Sequence, residues 1–471
     1  MTHTQKRSMI WTLAITSVAL FMVSLDNLVV TTAIPVIRRS LHASISQLEW
    51  TVNAYTLTFA VLLLTGAALG DRFGRRRLFV IGLLLFTGAS AAAALATTPN
   101  ALDLARAVQG VGGAIITPLT LTLLSAAVPK ERRGLALGIW GGIGGLAIAL
   151  GPLVGGAIVD GISWHWIFWL NVPIGLVLAP LAYSRLEESR GTEGGLDLPG
   201  LGLASTGLLG IVWGLVRGNA HGWTSPGIVV PIVAGALLVA AFVAWELRSA
   251  SPMLPMTFFR NPTFALTNIA SLLMFFGMFG SIFLLAQFFQ TVQHLSPFAS
   301  GLRILPWTAM PIFIAPIAGA VSDRIGGQRL MAAGLALQAT GLIWIAAVTT
   351  PTTPYIDIVA PFAVSGIGMS LFFAPVANVV LSSVRPEQEG KASGATNAIR
   401  ELGGVFGVAV LASVFAHEGG YRSAATFTHG MTTAVYIGGA IVALAAAVTP
   451  IMKLLVALAA LLLACGRCNL C

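Results

Sequence analysis

Several ionisable side chains stand where few are tolerated, inside long apolar runs. Asp26 lies in LDNLVVTTAIP, Arg106 in RAVQGVGGA, and Arg400 and Glu401 side by side in NAIRELGGVFG, while Arg303 sits near the end of its run. A charge at the centre of a lipid-spanning helix costs about 2.5–3.5 kcal/mol or more, and such charges mark pathways and proton relays. Burial disfavours an ionised carboxylate and a neighbouring cation favours it. An Asp–Arg pair that forms and breaks therefore takes up and releases a proton, whereas one that never breaks is a static structural link. Glu401 is expected either to neutralise Arg400 or to face a polar gap. Arg303 is expected to snorkel towards the interface.

The elements holding these groups must be membrane spans. Charged residues make up 9% of the 471 residues and hydrophobic ones 56%, and mean hydropathy is +0.87. A soluble domain carries about 25% charged residues. Apolar runs long enough to cross a bilayer lie near 11–35, 47–69, 78–98, 101–128, 134–159, 163–183, 199–216, 226–246, 264–289, 299–321, 330–349, 356–383, 392–415 and 432–452. The expectation is an all-α polytopic protein of about fourteen helices. In that topology, Asp26 and Arg106 lie at similar depth on helices running opposite ways. Seventeen Lys and Arg fall on the side of the amino end and four (Arg38, Arg39, Arg217, Arg422) on the other, which places both termini in the cytoplasm. The net charge of +9 is spread over short turns, so it sets orientation and does not form a nucleic-acid patch. The first apolar run is too long for a signal peptide and is read as a retained span.

The chain repeats itself. GAALGDRFGRRRL (66–78) is answered by GAVSDRIGGQRL (319–330), and Gly110, Pro118 and Pro129 by Gly366, Pro375 and Pro386. We expect a six-helix bundle over 1–183, a linker with two inserted helices over 184–262, and a second six-helix bundle over 263–453. Parallel repeats of this kind are built as two bundles with the binding site at midplane between them. The paired turns supply Asp71, Arg72, Gly74 and Arg75, and again Asp323, Arg324 and Gly326. An anion beside a helix N-terminus is favoured. Asp71 is therefore expected at the start of the thirteenth span, and Asp323 near the start of the fifth, as an inner latch between the bundles. In GGIGGLAIALGPLVGG (141–156), Gly151, Pro152, Gly155 and Gly156 stand just before an outer turn. Small residues let helix backbones approach and proline bends them, so the segment reads either as ordinary packing or as a seal or hinge.

Some chemistry is excluded. There is no GxxxxGK[ST] loop for ATP and no HExxH for a metalloprotease, and we expect no enzyme activity, metal or cofactor. An apolar tail over 454–471 follows Lys453 and reads as a longer tilted span, an interfacial helix or a non-native extension. Its Cys465, Cys468 and Cys471 have no histidine or fourth cysteine nearby to complete a metal site.

Taken together, these segments resemble the major facilitator superfamily, in its fourteen-helix drug:proton antiporter branch. GAALGDRFGRRRL is similar to the family's cytoplasmic turn, RAVQGVGGA to its fourth-helix motif, and ALGPLVGG (149–156) to its fifth-helix antiporter signature. LDNLVVTTAIP, LEWTVNAYTLTFA (48–60) and WHWIFWLNVPIG (164–175) resemble the first, second and sixth helices of that branch. Ala67, Ala147, Leu28 and Thr31 depart from the usual pattern. The resemblance implies an exporter of hydrophobic small molecules (drugs, antiseptic cations or antibiotics), working by alternating access. It also implies the proton gradient as energy source and a location in the inner membrane, and we expect a monomer. Arg106 would join Asp26 and Glu401 in proton coupling. Trp50, Asn53, Tyr55, Gln109 and Arg400 are the candidates for substrate or relay contacts, although Trp50 reads first as an interfacial belt residue. The alternatives are an exporter of one endogenous metabolite or lipid precursor, and a non-transporting membrane sensor.

Overall fold

A computed structural model describes residues 3–129, 133–190, 197–385 and 388–468. The chain is helical throughout, in the order α1 (His3–Leu41), α2 (Ile45–Phe73), α3 (Arg75–Ala94), α4 (Pro99–Ala127), α5 (Arg133–Gly161), α6 (Trp166–Trp169), α7 (Asn171–Arg185), α8 (Leu198–His221) and α9 (Pro226–Glu246). After these come α10 (Pro262–Thr291), α11 (Pro297–Thr308), α12 (Met310–Ile325), α13 (Gly327–Val348), α14 (Tyr355–Leu381), α15 (Glu389–Glu418) and α16 (Ala424–Cys468).

The helix starts are written locally. Ser44 and Gln47 form a reciprocal capping box at α2. Thr98, Asn261 and Ser296 each cap a helix that opens with proline, at α4, α10 and α11. Proline has no N–H to lose at that position and the cap oxygen satisfies a free one nearby. The two matched turns also share a backbone. Gly74 has φ +108° and Gly326 φ +89°, values that favour glycine.

Twelve helices are long and apolar enough to cross a membrane among the described residues, or thirteen with the bent pair Trp50–Leu63 and Thr65–Phe73 taken as one span. The expected fourteen adds α5, in which the apolar stretch Leu150–Gly161 is shorter than a span by itself. The run expected at 163–183 is broken into α6 and α7. The run at 299–321 is broken into α11 and α12 at Ala309, where Pro311 has no N–H to continue the ladder. Helix α16 continues to Cys468 without a break at Lys453. The side chains beyond 447, including the cysteines, lie outside the described residues.

Helices α1–α7 pack together, as do α10–α16, and two seams join the groups: α5 against α11 and α2 against α15. Each seam sets the second helix of one repeat against the fifth of the other. Helices α8 and α9 pack on each other, and α8 lies on the α2–α15 seam, where Val212 and Val216 meet Leu57, Val61, Val405 and Ala409. Helix α9 is only 17% buried and offers the rest of its apolar surface outward.

Small residues set the closest approaches. A Cβ on Gly280 of α10 would fall 2.7 Å from the carbonyl oxygen of Gly407 and 2.6 Å from Leu411 Cδ1 on α15. Gly280→Val should therefore lower stability by about 1–3 kcal/mol through overpacking, read as a lower melting temperature of the purified protein. Gly88→Val, at a site with nothing within 4 Å, is the control. Equal melting temperatures for the two variants would contradict this packing.

Candidate functional site

Asp26 and Arg106 meet. Arg106 Nη1 lies 2.5 Å from Asp26 Oδ2, with the two residues 0% and 2% exposed respectively. An ion pair taken out of water needs its remaining valences filled, and the neighbouring helices supply most of them, leaving Arg106 Nη2 buried without a partner. Gln109 Nε2 and Asn171 Nδ2 donate to Asp26 Oδ1 at 2.9 and 2.7 Å. Gln109 also donates to Ser90 Oγ at 2.7 Å and accepts from Arg106 at 2.7 Å. The guanidinium Nε donates to the Thr51 carbonyl at 3.3 Å, and its face covers the Tyr55 ring at 4.2 Å. Five helices, α1, α2, α3, α4 and α7, contribute to one buried polar cluster.

Of the residues singled out in the sequence, Asp26, Arg106, Tyr55 and Gln109 converge. Ser90, Thr51 and Asn171 went unnoticed as partners. Asn171 carried a signal, as the one amide in WHWIFWLNVPIG, but an isolated Ser90 among alanines carried none. Asp103 was missed too. It is half-buried one turn before Arg106 and accepts from Thr51 Oγ1 at 2.9 Å.

Other candidates go elsewhere. Trp50 packs on Trp213 of α8 at 5.5 Å between ring centroids, under the inserted helix rather than beside Asp26. Asn53 is fully buried and neither amide atom has a partner. Arg303 stays at its helix end, stacked over Tyr355 at 4.3 Å.

No contacting ion pair joins Arg400 and Glu401 among the described residues, but each lies within electrostatic reach of the other. Adjacent helical positions point about 100° apart, so the two side chains diverge. Arg400 lies between Phe275 at 4.5 Å and Phe373 at 4.9 Å. Glu401 sits within electrostatic reach of Tyr55, on the other bundle, and its Oε2 is buried without a partner. Tyr55 thus lies within electrostatic reach of both Asp26 and Glu401.

The basic turn differs from expectation. Asp71 pairs with Arg75 at 2.7 Å, within its own bundle, and does not reach the start of α15 among the described residues. The reason is Gly74, which turns the chain so sharply that the end of α2 and the start of α3 become neighbours. The anion at a helix N-terminus is instead Glu188, from the segment after α7. It accepts from the Arg76 backbone N–H at 3.0 Å and lies 3.7 and 3.9 Å from the Arg76 and Arg77 side chains. Arg72 stacks on Phe73. The side chains of Asp323 and Arg324 lie outside the described residues.

In the fifth-helix segment, Gly151 and Gly155 press on Leu28 and Val29 of α1, and Gly156 presses on Phe298 of α11. The Pro152 carbonyl in turn abuts Gly301. One turn later Asp160 accepts from the Phe298 N–H at 3.0 Å, at the N-terminus of α11. Gln290 on α10 donates to the Thr32 carbonyl on α1 at 2.9 Å. The two bundles are thus joined at the end where α1 stops and α2 begins.

Removing only the guanidinium strands a buried carboxylate. Arg106→Leu should cost about 3–5 kcal/mol, and Asp26→Asn in the same chain should recover part of it. A double-mutant cycle on detergent-solubilised protein measures the coupling. Additive losses would show that the two groups do not depend on each other.

The comparisons agree with this architecture. The family model described as Major Facilitator Superfamily matches residues 16–408. The multidrug resistance protein Stp of Mycobacterium tuberculosis is 35% identical over 87% of this chain and 76% of its own length. The tetracenomycin C resistance and export protein of Streptomyces glaucescens is 33% identical over the same shares, 87% and 76%. A crystal structure of a bacterial homologue of the human lysosomal transporter Spinster superposes with a TM-score of 0.66 at 15% identity, covering 96% of this chain and 97% of that one. With repeated bundles, matched glycine turns and this extent of similarity, the chain belongs to the major facilitator superfamily.

Proposed function

We propose that the protein exports hydrophobic small molecules, drugs and antibiotics among them, in exchange for protons. The observation that carries this reading is the buried Asp26–Arg106 pair, whose guanidinium stacks on Tyr55, with Glu401 of the opposite bundle within electrostatic reach of that ring. A proton arriving at Asp26 cancels its charge and removes the Coulomb attraction that holds Arg106. The helices tied to that cluster are then free to shift, and Tyr55 couples the shift to the seam between bundles. Glu401 is the second protonatable group on this path. The relatives' roles in multidrug resistance and antibiotic export support the choice of cargo.

The bundles would rock about the α5–α11 and α2–α15 seams. Gly151, Pro152, Gly155 and Gly156 would close the outer side, where Gly156 now meets Phe298. The turns at Asp71, Arg72, Gly74 and Arg75, and at Asp323, Arg324 and Gly326, would govern the inner side, with Glu188 as an added brace. The distribution of Lys and Arg supports an inner-membrane protein with both termini in the cytoplasm. We further propose a monomer driven by the proton gradient alone, with the two inserted helices as the middle segment between six-helix bundles.

The test uses inverted vesicles with an imposed proton gradient and a pH-reporting dye. Adding lipophilic substrates should release protons from wild-type vesicles, and Asp26→Asn should abolish that release. Release that survives in the variant would remove Asp26 from the coupling step. No release with any compound across a broad panel would sink the antiport reading.

A further inference from the structure

We propose that Arg400 and the phenylalanines around it form the recognition site for an acidic, aromatic class of cargo: a carboxylate or phenolate carried on an apolar ring system. The inference rests on the export reading above and narrows it to one charge.

The site is built by close helix packing. Gly280, Gly403 and Gly407 bring α10 and α15 nearly backbone to backbone: a Cβ on Gly403 would fall 3.0 Å from the Leu272 carbonyl carbon. That approach sets Arg400 of α15 against Phe275 of α10, while α14 brings Phe373 to the same guanidinium. Phe275 and Phe373 meet edge to face at 5.3 Å, and Phe279 stacks on Phe275 at 5.6 Å. The cation thus lies in an aromatic wall, in mid-helix.

Among the described residues no contacting ion pair answers its charge, and Glu401 acts on it only from beyond ion-pair distance. The hydrogen bond recorded for the side chain runs from Nη1 to the neutral Asn397 Oδ1 at 3.2 Å, and Nε is buried with no acceptor. No carboxylate lies within ion-pair distance among the described residues, Glu401 included. Ring faces offset part of the desolvation of a guanidinium, but a partly buried cation without a contacting counter-ion still has unmet hydrogen-bonding capacity. The contrast with Arg106 is direct: that guanidinium has both an aromatic face and Asp26. Arg400 has the aromatic faces and, within hydrogen-bond reach among the described residues, only the neutral Asn397. Arg400 is also only half-buried, so part of it stays accessible. A ligand that brings a carboxylate supplies a contacting charge through charge-assisted hydrogen bonds to a planar fork, and its rings extend the aromatic wall.

The experiment compares three probes with one ring system, 1-pyrenecarboxylate, 1-pyrenemethanol and 1-pyrenemethylammonium, binding to purified protein in nanodiscs, with empty nanodiscs subtracted. On wild type the acid should bind about 10-fold or more tightly than the ammonium probe, the scale expected of a charge-assisted contact. Arg400→Gln should weaken the acid by about 10–100-fold while leaving the alcohol within about 3-fold, and Arg400→Lys should keep part of the preference. Should Arg400→Gln fail to fold, the wild-type charge series still decides. An ammonium probe bound as tightly as the acid, or acid binding unaffected by Arg400→Gln, overturns the proposal. Reconstituted with the pH dye, the same protein separates the two claims. Coupled export without charge preference removes the acid site and leaves the exporter. Arg400-dependent acid binding without any coupled export does the reverse.

Discussion

A carboxylate and a guanidinium closed off from solvent must be satisfied by protein or not be there at all. That requirement at Asp26 and Arg106 explains much of the first bundle. Each neutral donor or acceptor around the pair comes from a different helix: Ser90 from α3, Asn171 from α7, the Thr51 carbonyl from α2. Moving any one of these helices breaks a hydrogen bond in a region where water cannot replace it cheaply. The bundle is thereby made rigid around the one charge whose protonation would loosen it. A transporter that rocks needs bodies that hold their shape, and in the antiport proposed above the coupling charge and the brace are the same group.

The second bundle repeats the architecture without the charge. By the offsets relating Asp71 to Asp323 and Gly110 to Gly366, Tyr55 corresponds to Trp307 and Arg106 to Phe362. The cation over a ring in the first bundle becomes ring against ring at 5.9 Å in the second. The charges of the second bundle lie instead on α15, at Arg400 and Glu401, beside the seam. This division places the hydrogen-bonded ion pair in one bundle and Arg400, held among phenylalanines without a contacting carboxylate, in the other. The inserted pair α8–α9 adds a further asymmetry, because α8 covers the α2–α15 seam and the α5–α11 seam has no such cover from it.

The basic turn shows how a correct principle can be attached to a wrong partner. An anion at a helix N-terminus was expected, and one is present. From sequence, Asp71 was the carboxylate nearest the basic cluster and a distant helix start was its match. The turn at Gly74 folds Asp71 back onto Arg75, and the empty helix start is α3. Glu188 takes that place because α7 ends beside α3, bringing residues more than a hundred positions apart to one spot. A Cβ on Gly74 would touch the Glu188 carboxylate at 2.9 Å, so the same glycine makes both the turn and the room for its brace.

Composition, apolar run length and the internal repeat determined by themselves that this chain is a helical membrane protein of two related halves. They did so because a bilayer imposes a length and a polarity on every segment, and such rules are read one segment at a time. The intramembrane charges were legible for the same reason: each is conspicuous in its own run, and opposite helix directions put Asp26 and Arg106 at one depth. Only the tertiary structure decided what each charge faces. Whether Arg400 meets Glu401 or an aromatic wall depends on how Gly280, Gly403 and Gly407 let α10 approach α15. Trp50 went to α8 because the inserted helices lie on that side, which no local pattern encodes. Asn171 became a partner of Asp26, and Ser90 of Gln109, through the convergence of five helices. Partner choice belongs to packing between distant segments, and there a residue's own neighbours in the chain say little.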